Sequence, residues 1–82
     1  MPYIKKEKRI LPNKVIKAMC DAKIVANGDL NYILFKFCKD YVTPSYNNYK
    51  NFIGELRQCA NWIEQELLNP YEEEKKIENG DV

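Results

Sequence analysis

The stretch that decides the fold is residues 45–68, SYNNYKNFIGELRQCANWIEQELL. Its apolar residues recur at intervals of three and four, which places their side chains on one face of an α-helix. The positions that share this face are Tyr49, Phe52, Leu56, Cys59, Ile63 and Leu67. The pattern is close to a heptad repeat, and it predicts a helix over residues 46–68 with Ser45 as its N-cap.

Two earlier helices are predicted by the same spacing. The first covers residues 12–25, and Pro12 suits its first turn, where the missing N–H is not needed. Asn27 and Gly28 form a typical stop signal, and Asp29 is placed to cap the next helix. The second helix is therefore predicted over residues 30–42.

The carboxy-terminal segment NPYEEEKKIENGDV predicts a short fourth helix over residues 70–78. Asn69 reads as an N-cap and Pro70 as the first helical residue, so we expect a kink there. Tyr71 and Ile77 are its candidate anchors, because so short a helix needs docking to be stable. Residues 1–11 are predicted to form an amino-terminal arm.

The size of the chain indicates one domain over residues 1–82. The 82 residues are 45% hydrophobic and 30% charged, which is a globular composition. We expect an all-α fold: a compact three-helix bundle with a short fourth carboxy-terminal helix. A domain this small is marginally stable alone, and the second helix is apolar around much of its circumference, so we also expect a homo-oligomer.

The charge is balanced overall and uneven along the chain. The net charge of +1 provides no general attraction to nucleic acid, which we do not expect as a partner. Residues 1–23 carry seven basic side chains against two acidic ones, and residues 64–82 carry seven acidic against two basic. We expect these ends to attract each other. No secretory signal or stretch of about 20 apolar residues appears, so we predict a cytoplasmic protein without a membrane partner.

Few residues suit catalysis. Histidine is absent, and three glycines form no phosphate-binding loop. Cys20, Cys38 and Cys59 lack the paired spacing of a metal site, and we expect Cys38 and Cys59 to be small buried hydrophobic residues. We therefore predict a protein that is not an enzyme and has no catalytic residues, metal or cofactor.

Five residues are candidates for an interface. Phe35, Phe37 and Tyr41 lie on the broad apolar circumference of the second helix. Gly54 interrupts a strongly periodic helix, which indicates close approach of another backbone, from the second helix or from another copy. Trp62 lies beside the main apolar face of the third helix. These residues favour an interaction or structural module that acts as a homo-oligomer and docks on another protein.

A second class of function remains open, a small-ligand binding protein. Asn31 and Tyr32, with the basic residues Lys5, Lys6 and Arg9, would line a concave site between protomers. Such a site would suit a small molecule. The number of arginines is low for this purpose, since the chain contains only two.

Several motifs carry a resemblance. The chain begins MPYI at residues 1–4 and closes with PYEEEKKIENGDV at residues 70–82, and it contains GDLNY at 28–32 and IGELRQC at 53–59. These motifs resemble a family of small uncharacterised proteins from bacteria, archaea and their phages. The resemblance implies a compact helical fold and no established activity. In a phage, the small ligand of the binding hypothesis could be a nucleotide signal of the host, which the protein would sequester.

Overall fold

The computed structural model describes residues 3–81, which form helices joined by short turns and loops, with no strand among them. The all-α class is therefore confirmed. Met1, Pro2 and Val82, which belong to the predicted arm and to the terminal motifs, lie outside the described residues. The elements are a 3-10 turn at Lys6–Lys8, α1 at Ile10–Asp21, α2 at Gly28–Tyr41, α3 at Tyr46–Ile63, a π-helical turn at Glu64–Leu68 and α4 at Asn69–Asn79.

The chain divides into two units. The amino-terminal unit extends to Tyr49, and the carboxy-terminal unit begins at Lys50. The first therefore contains α1, α2 and the first turn of α3, while the second contains the rest of α3, the π-helical turn and α4. Each unit is described separately below.

Helix α1 ends four residues before the predicted position. The N–H of Lys23 donates to the oxygen of Cys20 at 3.0 Å, and the N–H of Ile24 donates to Met19 at 3.1 Å. These are the two hydrogen bonds of a Schellman motif, with Lys23 in the left-handed region at φ 57°. Ile24 and Met19 are both half-buried, as the apolar contact of this motif requires. The ending was missed because lysine, and not glycine, occupies the left-handed position.

Helix α2 begins with a different cap from the predicted one. The Oδ1 atom of Asn27 accepts a hydrogen bond from the backbone N–H of Asp29 at 2.8 Å. The carbonyl oxygen of Asn27 accepts from Asn31 at 3.2 Å, so the helix is already established at Gly28. The prediction that Asp29 is the cap was wrong: Asp29 lies in the first turn, where the helix dipole favours its charge.

The predicted start of α3 is confirmed. Ser45 Oγ accepts a hydrogen bond from the N–H of Asn48 at 3.0 Å, which satisfies one of the free donors of the first turn. The side chain of Asn48 reaches back and donates to the carbonyl oxygen of Thr43 at 2.9 Å. This pair of bonds fixes the entry into α3 directly after Pro44.

Helix α4 has Pro70 in its first turn, as predicted, but Asn69 is not its N-cap. Asn69 has helical dihedral angles of φ −63° and ψ −45°, and its N–H donates to the oxygen of Glu64, five residues back. Proline lacks an N–H, and its ring clashes with the carbonyl group four residues back in a regular α-helix. The π-helical turn widens the backbone before Pro70, and residues 46–79 are consequently helical without a break.

No described side chain is buried in this chain. Nine residues are half-buried, and the rest of the described residues are exposed. Tyr71 and Ile77, the predicted anchors of the last helix, are 56% and 83% exposed. The helices form as expected, but the apolar surface that stabilises helices of this kind remains accessible.

Candidate interaction surface

The amount of accessible surface is the main property of this chain. Twenty large apolar or aromatic side chains among the described residues are exposed, and the chain has 7641 Å² of accessible area. Large apolar side chains of this kind are the ones that a protein core or an oligomer interface normally covers.

The carboxy-terminal unit presents one continuous apolar face. In a heptad repeat continued from Cys59 and Ile63, the next two positions would hold Glu66 and Pro70. A π turn contains one residue more than an α turn, so the positions beyond it move by one. The same face therefore continues with a leucine and a tyrosine. We call it the seam, and it consists of Phe52, Leu56, Cys59, Ile63, Leu67 and Tyr71.

The residues beside the seam are also largely apolar. Ile53, Ala60, Trp62 and Leu68 occupy the positions next to it in the heptad register. Trp62 is half-buried, while Ile53 and Leu68 are exposed. The apolar surface of this unit is thus wider than the seam.

The predicted interface residues of α2 are exposed. Phe35 is 67% and Tyr41 is 78% exposed, and Phe37 is 54% exposed. The rings of Phe37 and Tyr41 lie one helical turn apart, with centroids separated by 5.8 Å and planes inclined by 30°. The structure therefore brings two of the three residues together as an exposed aromatic pair.

An ion pair lies on the same helix. Lys36 Nζ is 2.6 Å from Asp40 Oδ2, and this hydrogen bond and charge raise the pKa of Lys36 above its ordinary value of 10.5. Because the folded pKa is raised, the stabilisation is complete below pH 10.5 and is lost as the pH rises through the folded value. Solvent keeps the contribution small.

The glycine of α3 has open space around it. A Cβ atom built on Gly54 has no atom within 4 Å. Gly54 lies opposite the seam in the heptad register. The close approach of another backbone to Gly54 stays a prediction.

The candidate ligand residues do not form an enclosed site. Asn31, Tyr32, Lys5, Lys6 and Arg9 are all exposed. Arg9 Nε donates to the carbonyl oxygen of Ile4 at 2.8 Å, which ties the arm to the start of α1. The N–H of Asn31 is used in the first turn of α2.

The charges of α4 pair within the helix. Lys75 Nζ is 2.8 Å from Glu78 Oε2, and Lys76 Nζ is 3.5 Å from Glu73 Oε1. Lys75 also lies 5.4 Å from the centre of the Tyr71 ring. Tyr71, Lys75 and Lys76, with Glu72 and Gly80, border a shallow open concavity that the sequence did not indicate.

The cysteines are separate thiols. Cys20 and Cys59 are exposed and Cys38 is half-buried, so the expected burial of Cys38 and Cys59 within the chain was wrong. Across residues 3–81, no group of three or more cysteine or acidic side chains is arranged to hold a metal ion. Over the same residues, each helix is too short or too polar to cross a bilayer.

These observations define a class of protein: a small all-helical chain whose apolar faces are accessible. A family model described as a domain of unknown function (DUF6899) matches residues 1–82, and the chain belongs to that family. No curated protein matches the chain. No solved structure matches it either.

Proposed function

We propose that this protein is a non-enzymatic interaction or structural module that acts as a homo-oligomer. One observation carries the proposal: no described side chain is buried, while twenty large apolar or aromatic side chains are exposed. Monomeric soluble proteins rarely expose contiguous apolar patches larger than a few hundred Å². A chain with this surface gains stability when another chain covers it.

The helices themselves need such a partner. Isolated helices of fewer than about 12–15 residues are marginal in water, and α1 and α2 have 12 and 14 residues. Their formation therefore depends on packing of the apolar faces. In this proposal the compact helical bundle is completed between copies, and the core consists of side chains from more than one chain.

The experiment that tests the proposal is native mass spectrometry of protein purified from cells, followed by the same measurement after denaturation. We expect an oligomer of bare chains at micromolar concentration. The melting temperature should also rise with protein concentration, because association and folding are coupled in such a protein.

Two other results would redirect the proposal. A monomer that melts cooperatively at a temperature independent of concentration would contradict it. An oligomer that carries additional dissociable mass would favour the small-ligand alternative, and the mass would give the molecular weight of the ligand. Replacement of Arg9 or Lys6 by glutamine should then reduce the retained mass.

A further inference from the structure

We propose that the seam pairs with the seam of a second copy in antiparallel orientation. This inference rests on the proposed function and specifies the surface and the partner. The seam belongs to the carboxy-terminal unit, where α3, the π-helical turn and α4 are continuous over residues 50–79. Its six members are spaced as in a coiled coil once the extra residue of the π turn is taken into account.

The order of the seam residues favours pairing with the seam of a second copy that runs in the opposite direction. The sequence of side chains is Phe, Leu, Cys, Ile, Leu, Tyr. When a second copy is turned end for end, Phe52 lies opposite Tyr71, Leu56 opposite Leu67 and Cys59 opposite Ile63. Aromatic residues then meet at both ends, leucines meet inside them, and the small cysteine faces a branched side chain at the centre.

The neighbouring residues extend the same pairing. In this register Ile53 lies near Leu68 of the second copy, and Ala60 and Trp62 lie near the two-fold axis. Apolar side chains therefore continue on both sides of the seam. A single tryptophan is present in the sequence, so its fluorescence reports on this location alone.

Charge distinguishes the antiparallel from the parallel arrangement. α3 carries Lys50 and Arg57 against Glu55, a net charge of +1. The π-helical turn and α4 carry six glutamates against two lysines, a net charge of −4. In a parallel pair, the segment of net charge −4 would lie beside the same segment of the second copy, and the two would repel. In an antiparallel pair, it lies beside α3 of the second copy, whose net charge is +1. Opposed helix dipoles favour the same orientation.

The length of the seam agrees with a second copy as the occupant. The seam spans residues 52–71, and a second copy presents an apolar face of the same length.

The test uses two single-cysteine chains in which Cys20, Cys38 and Cys59 are serine. One chain carries Leu56→Cys and the other carries Leu67→Cys. After unfolding, mixing and refolding, the mixture is treated with a dimaleimide of roughly 10 Å span, the distance between packed helix axes. We expect cross-linked dimers in the mixture and at least ten-fold less in either chain alone.

A matched control places the thiol on the opposite face of the same helix. Asn61→Cys, mixed with the Leu67→Cys chain, should not cross-link. A second measurement needs no substitution at the seam: in the unaltered protein, alkylation of Cys59 should be at least ten-fold slower than that of the exposed Cys20. Denaturation should make the two rates equal.

The outcomes separate this inference from the proposed function. Cross-linking of each single-cysteine chain with itself would overturn the antiparallel orientation. An oligomeric mass without cross-links at residues 56 and 67, together with rapid alkylation of Cys59, would overturn the seam and leave the homo-oligomer intact. A monomeric mass with Cys59 protected would mean that the chain covers its own seam, which overturns both.

Discussion

The backbone N–H of Asn69 donates to the carbonyl oxygen of Glu64, five residues earlier, and this bond widens the helix directly before Pro70. Its effect is to accommodate a proline inside a long helix and to change the register of the side chains beyond it. Leu67 and Tyr71 join the face of Ile63, while Glu66 leaves it. A local hydrogen bond thus determines the length of the apolar seam.

This relationship predicts the result of removing the π-helical turn. Deletion of Gln65 combined with Pro70→Ala should give a regular α-helix in which the original Leu67 and Tyr71 fall on heptad positions. We expect the oligomer to persist and the melting temperature to rise, since proline is about 3 kcal/mol less favourable than alanine in a helix interior. Analytical ultracentrifugation and thermal unfolding measure both.

The control for this prediction is a deletion of both Gln65 and Glu66 with the same Pro70→Ala change. It restores a regular helix but rotates Leu67 and Tyr71 away from the seam. Association should weaken in this variant. Equal association of the one-residue and two-residue deletions would show that the register beyond Ile63 is irrelevant.

The leucines of the seam should tolerate replacement by a charged residue poorly. Leu56→Lys introduces an unpaired charge at a position that the second copy covers, and we expect the Kd of association to rise by about 100-fold or more. Asn61→Lys adds the same side chain on the opposite face and should change the Kd less than three-fold. Sedimentation and the emission maximum of Trp62 report the difference. Equal dissociation constants would place the interface elsewhere, with the exposed aromatic pair of α2 as the next candidate.

Sequence and structure agree in some parts and differ in others for identifiable reasons. Periodicity in residues 46–68 was sufficient to predict the all-α class, because side-chain spacing reflects helix geometry directly. The start of α3 was predictable from Ser45, whose short hydroxyl is a strong cap. The seam was predictable from spacing as far as Leu67. Its continuation to Tyr71 depends on the Asn69–Glu64 bond, and composition does not specify that bond.

The end of α1 and the start of α2, around residues 22–29, show a different limit of prediction from sequence. Both Asn27 and Asp29 are good N-cap residues, and the choice between them depends on backbone angles that single-residue preferences do not contain. Lys23 has no preference for the left-handed region, yet it ends α1. Ile24 and Met19, the residues that make the apolar contact of a Schellman motif, are both half-buried at this ending.

The cap of α2 should be measurable. Asn27→Ala removes the acceptor of the Asp29 N–H, and we expect the free energy of unfolding to fall by about 1 kcal/mol. Asn27→Asp retains an oxygen at that place and should lie within about 0.5 kcal/mol of the original protein. Denaturant unfolding at one fixed protein concentration gives the comparison. An alanine variant as stable as the original would indicate that another group caps the helix.

The left-handed residue at the end of α1 gives a prediction of the opposite sign. Lys23→Gly removes a steric penalty at φ 57°, and we expect stabilisation of about 0.5–1 kcal/mol. Lys14→Gly, in the interior of the same helix, should destabilise by about 1 kcal/mol. If both glycines destabilise equally, Lys23 does not occupy the left-handed region in solution.

The last prediction concerns Gly54, which was identified from the sequence as a point of close backbone approach. A Cβ atom at this position meets no atom within 4 Å, and the position faces away from the seam. Gly54→Ala should therefore stabilise the protein by about 1 kcal/mol through helix propensity alone, with no change in the oligomer. Gly54→Leu should be tolerated as well, because the space is open. A destabilising alanine, or a bulky residue that dissociates the oligomer, would mean that a second copy packs against this face and that the seam is not the principal interface. Thermal unfolding and sedimentation of the two variants, each at several protein concentrations, decide between these arrangements.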